Sequence, residues 1–230
     1  MAQNIFPQDE DFQRKLFTDK KFLNRMKNVA RHQNIEAGFF VEVHPLNGKY
    51  HISKVYRGNS EELHYWDESD SLTNFEHLGK QSYFNLHTHG KVERIVPSIW
   101  PKGDLRSTFK EEQRILRDTG VDFRIIESVT RYTSEERKPI LLVQRKVALP
   151  SEDIFDEIAF ELRSEMKNKG EEEIAKILDE SLIYKADIIH FGKDGFEEEE
   201  LKKLAKFAYV PIIQDKKILQ EIIGGLIITQ

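Results

Sequence analysis

Two imidazoles and a carboxylate carry the chemistry most readily available to this sequence. His87-Thr88-His89 closes a short apolar segment (Tyr83, Phe84, Leu86), and Asp104 follows downstream. In an extended chain, residues i and i+2 point to the same face, so a His-x-His at a strand end aims both rings at one point. An aspartate arriving from the next element would complete three protein ligands for zinc, with the fourth tetrahedral position left to water, as catalytic sites require. Hydrolysis also needs a base to take the proton of that water and pass it to the leaving group. Glu36, at the junction of the opening helical segment and the first strand, is the candidate. Ser98, between the His pair and Asp104, is placed to donate to a tetrahedral oxyanion.

These residues need elements to hold them. Residues 11–33 carry Phe12, Leu16, Phe22, Leu23, Met26 and Val29 at spacings of mostly three and four, which predicts one or two amphipathic helices. Residues 38–44 and 50–56 read as the strands of a hairpin joined by a turn at 45–49, which holds a Pro and an Asn-Gly. A polar, acidic stretch at 57–80 precedes the strand that ends in the His pair. From Asp104 the period returns to helix, with Leu105, Phe109 and Leu116 on one face and Gly120 as its stop. Strands are expected at 122–132 and 138–149, with the core closing near Pro150. Beyond it, Ser151 is placed as an N-cap with Glu152 and Asp153 in the first turn, for a helix running through Phe155, Ile158 and Leu162. A helix at 171–182, a strand at 186–191, a helix at 196–208 and apolar segments at 209–213 and 222–228 follow. The pattern predicts an α/β protein of the α+β sandwich kind, with a domain at 1–150 and a C-terminal α/β extension at 151–230.

Composition narrows the function. The chain has 230 residues, 39% of them hydrophobic, enough for a packed core. Its 35 basic and 40 acidic residues are interspersed, so no basic stripe tracks a phosphate backbone, and nucleic acid is not an expected partner. There is no cysteine, so a metal would be held by nitrogen and oxygen alone. A polar N-terminus, and the lack of an apolar run near the roughly 20 residues that span a bilayer, predict a soluble cytoplasmic protein.

The order Glu36-x-Gly38, His87-Thr88-His89, Pro97-Ser98 and Asp104-Leu105 resembles the JAMM (MPN-plus) metalloprotease family, in particular its prokaryotic branch. The resemblance covers roughly residues 15–149. It implies a core like that of the cytidine deaminases, the JAB/MPN fold, with zinc held by His87, His89 and Asp104, Glu36 as base, and Ser98 stabilising the oxyanion. It also implies peptidase or isopeptidase activity on a protein or peptide substrate, commonly a ubiquitin-like or sulfur-carrier conjugate. The family separates its serine and aspartate by two residues, whereas five lie between Ser98 and Asp104, and Gly90 stands where the family has proline. Two other readings start from the same residues. One is a non-catalytic binding scaffold on this fold, since fold alone does not confer activity. The other is an amidohydrolase or phosphoesterase barrel, which needs more chain and more downstream ligands than follow His89.

Overall fold

The computed structural model describes residues 10–32, 35–43, 50–58, 81–89, 95, 97–98, 103–119, 124–147 and 151–208. The expected turn at 45–49, the acidic stretch at 59–80, Gly120 and the apolar segments at 209–213 and 222–228 lie outside these residues.

The opening segment forms two helices, α1 (Glu10–Phe17) and α2 (Lys20–Val29). The break falls at Asp19, whose Oδ1 accepts the N–H groups of Lys21 (2.7 Å) and Phe22 (3.4 Å), capping α2. Asp19 Oδ2 accepts the Tyr50 hydroxyl at 2.8 Å. Burial and that bond push the Tyr50 phenol up to about 12. Phe22, Met26 and Val29, at i, i+4 and i+7, are the buried stripe of α2.

Six strands follow these two helices in a mixed arrangement: β1 (Ala37–Val43), β2 (Tyr50–Ile52), β3 (Tyr56–Arg57), β4 (Gln81–Thr88), β5 (Ile126–Thr130) and β6 (Lys138–Arg145). The strand expected across 50–56 is interrupted. Val41 pairs with Ile52 and Gly38 with Tyr56, so the β2–β3 side carries one residue more than β1 between these pairs. Ser53 sits in this bulge and accepts the Phe40 N–H on its own hydroxyl at 3.0 Å, in place of a ladder carbonyl. The strand expected at 122–132 is shorter, and the one from Lys138 ends at Arg145.

The chain continues with α3 (Asp104–Thr119) between β4 and β5, then α4 (Glu152–Met166), α5 (Glu171–Glu180), β7 (Tyr184–Gly192), β8 (Gly195–Phe196) and α6 (Glu198–Ala208) after β6. The sheet order is β2-β1-β4-β5-β6-β7-β8, with β3 also on β1. β4 and β5 run parallel through the α3 crossover, and the other pairs are antiparallel. Residues 151–208, expected as an extension beyond Pro150, thus supply β7 to the same sheet, paired with β6 from Lys138↔Phe191 to Arg145↔Tyr184. The physical reason lies in β6, which is buried along both faces from Pro139 to Arg145 and needs a neighbour on each side.

Helices cover both faces. On one, α1, α2 and α6 bury Phe17, Phe22, Leu204 and Phe207 against Phe39, Phe84, Ile126 and Leu142. On the other, α3, α4 and α5 bury Phe109, Phe155, Leu162 and Leu178 against Val129, Leu141, Val143 and Ile188. Alternation along the strands sends Leu141 and Leu142 to opposite layers. The result is a mixed α/β sandwich with six helices among the described residues. Among those residues no helix is long and apolar enough to cross a membrane.

Candidate metal centre

His87 lies one residue from the carboxyl end of β4, beside Val129 of β5, and His89 follows the strand directly. This is the end of a parallel pair at which open α/β sheets receive ligands. Asp104 is the first residue of α3, where an acid favours the positive end of the helix dipole. His87 Nε2 and His89 Nε2 are 3.0 Å apart, and Asp104 Oδ2 is 3.2 Å from each. Among the described residues these three side chains form the one group able to hold a metal ion.

The wide spacing between Ser98 and Asp104 does not keep them apart. The Ser98 N–H and hydroxyl both donate to Asp104 Oδ2 at 2.8 Å, and the Asp104 N–H donates to Ser98 Oγ at 3.0 Å. Leu105 N–H adds a bond to the Ser98 carbonyl at 3.3 Å. Ser98 therefore caps α3 from outside the helix and fixes the carboxylate that faces the two rings. Its hydroxyl is engaged with a ligand residue.

Glu36 enters from the neighbouring strand. β1 lies antiparallel to β4, the pairing reaching Gly38 opposite His87, and Glu36 directly precedes β1, two residues before Gly38. Thr88, whose side chain points to the face opposite that of His87, ties this corner down. Its Oγ1 accepts the Ala37 N–H at 3.0 Å and lies 3.3 and 3.4 Å from the carbonyls of Ala37 and Ile35. The Glu36 carbonyl accepts Gly58 N–H at 2.9 Å. The backbone of Glu36 is thus held on both sides next to the His-x-His.

Two residues at the centre escaped the sequence reading. Thr88 is one. The other is Glu127 in β5, whose Oε1 lies 3.2 Å from His87 Nδ1. Its Oε2 accepts Thr108 Oγ1 of α3 at 2.7 Å and Asn85 Nδ2 of β4 at 3.2 Å. The signal was present as an acid inside the apolar run 125–129, since a charge in a buried strand requires partners.

The electrostatics follow from this packing. Burial disfavours a charged His87 ring, but Asp104 and then Glu127 outweigh it and hold its pKa well above 6.5. For Asp104, burial favours the neutral acid, yet the charge and hydrogen bond of His87, with the bond from His89, hold the carboxyl well below the ordinary range. Two imidazole nitrogens and a carboxylate oxygen facing one point form a nitrogen-and-oxygen donor set suited to a divalent transition metal. Comparison of the chain with family models, with curated proteins and with solved structures gave no match in any of the three.

Proposed function

We propose that this protein is a zinc-dependent peptidase or isopeptidase of the JAMM type, acting on a protein or peptide substrate, with ubiquitin-like and sulfur-carrier conjugates as the first class to test. The observation that carries the reading is the convergence of His87 Nε2, His89 Nε2 and Asp104 Oδ2, 3.0–3.2 Å apart, at the carboxyl end of β4. A tetrahedral ion bound at about 2.0–2.1 Å sets its ligand atoms about 3.3 Å apart, so the donor set fits zinc in chemistry and spacing. The position of Glu36 immediately ahead of β1, the strand paired with β4, and the start of α3 at Asp104 support a JAB/MPN-like arrangement of the core.

When bound, zinc supplies Lewis acidity, which acidifies water and polarises an amide carbonyl. The protein's own groups do the rest. Glu36 accepts the proton of the attacking water at its carboxylate and returns it to the leaving nitrogen. Ser98 holds the Asp104 carboxylate, and rotation of its hydroxyl towards the substrate would supply a donor to the oxyanion.

Elemental analysis of untagged protein tests the centre. About one zinc per chain is expected in the wild type, with none in His87→Ala. Glu36→Gln keeps the zinc and the shape while removing the base, so conjugate cleavage should drop by about 10²–10⁴-fold. Wild-type protein that takes up no zinc, or a Glu36→Gln variant that cleaves at the wild-type rate, would defeat the proposal.

A further inference from the structure

We infer that Glu127 is a positioning residue that commits His87 to the metal through Nε2, by accepting the Nδ1–H hydrogen bond on its own carboxylate. The inference rests on the reading of His87, His89 and Asp104 as a metal centre. An imidazole can bind an ion through either nitrogen, and the choice is set by the hydrogen bond made at the other one. His87 is 4% exposed, so its Nδ1 has no solvent to turn to, and Glu127 Oε1 stands 3.2 Å away.

The carboxylate is itself held from two elements. Thr108 donates to Oε2 from α3, and Asn85 donates to the same atom from β4, where it pairs in register with Glu127 and shares a face with His87. With Oε2 occupied in this way, Oε1 is left for the ring. A glutamate 4% exposed in a central strand is costly to bury unless several partners compensate it, and here they are the ring and its two supporting donors. His89 differs, since among the described residues no hydrogen bond reaches its Nδ1, and its ring is more exposed than that of His87 (13% against 5%). Of the two rings, that of His87 is thus locked from behind, whereas that of His89 would depend more on a bound ion for its orientation.

The test is the zinc dissociation constant, measured by competition with a chromogenic chelator, for the wild type, Glu127→Ala, Glu127→Gln and Thr108→Val, with the Tm of each metal-free protein. Glu127→Ala should raise Kd about 10–100-fold. Glu127→Gln should lose less, because the amide oxygen can still accept Nδ1–H while the NH2 turns to Thr108. Thr108→Val removes a support of the carboxylate without touching the ring, so its effect should be smaller than that of Glu127→Ala. Nitrogen-15 spectra of the zinc-loaded wild type should show His87 protonated at Nδ1, a readout independent of whether any variant folds. A Glu127→Ala Kd within twofold of wild type, a Thr108→Val loss as large as that of Glu127→Ala, or a His87 bound through Nδ1 would overturn the inference and leave the metal centre standing. Failure of the wild type to bind zinc would instead remove the centre, and this inference with it.

Discussion

On the side of α1, α2 and α6 the sheet is covered by rings. Phe22 lies 5.3–5.4 Å from Phe17, Phe39 and Phe84, edge to face, and all four are almost fully buried. On the side of α3, α4 and α5 the interior also contains charges. Glu112 of α3 accepts Arg145 Nε of β6 at 2.7 Å and the Ile125 N–H at 2.8 Å, with Arg124 Nη1 3.7 Å away, and Glu127 supports His87. The Arg145 guanidinium lies over the Phe109 ring at 5.1 Å. Apolar burial is non-directional and fills the first layer with little demand on geometry. Buried ion pairs add little net stability but have strict geometry, and on the second layer they fix α3 against β5 and β6. Since α3 begins at Asp104, the Glu112 clamp also fixes where that ligand sits. Both layers hold the fold, and the second also aims the site.

The largest effect that would break this contrast belongs to the aromatic layer. Phe22→Ala should cost about 3–5 kcal/mol in urea unfolding, while the fraction that remains folded keeps its zinc affinity. Loss of affinity in folded Phe22→Ala protein would show that the layers are not separable. Next comes Glu112→Gln, which keeps the shape but leaves Arg145 uncompensated. It should cost about 2–3 kcal/mol and also weaken zinc binding, because α3 loses its hold on the sheet. Unchanged zinc affinity in that variant would reduce the clamp to a stabilising contact.

The smallest effect, on pH dependence, sharpens the comparison. In metal-free protein the raised His87 pKa gives stability that is complete below 6.5 and lost as pH rises through the folded value. The lowered Asp104 pKa gives stability present above 3.8 and lost as pH falls through its folded value. The pair therefore helps the metal-free fold most between 3.8 and 6.5. Zinc needs both rings deprotonated, so adding it should raise Tm more at pH 8 than at pH 6. Equal shifts at the two pH values would count against these residues as the ligands.

The sequence by itself determined what depends on neighbours a turn or a strand away. Asp19 and Ser151 cap helices because their side chains reach N–H groups two or three residues on, and Ser151 Oγ accepts Ile154 N–H at 3.4 Å. The His-x-His shares a face because strand geometry has period two. The apolar run of β6 marked a strand, and Asp104 opened a helix where its spacing predicted one. Tertiary structure decided the rest: that β7 covers the edge of β6, that the β2–β3 side bulges at Ser53 against β1, that Ser98 crosses five residues to hold Asp104, and that Glu127 meets His87 Nδ1. Each of these depends on strand register or helix placement, which the whole chain sets at closure. An acid in an apolar strand announces that it needs a partner, and only the folded sheet says which one.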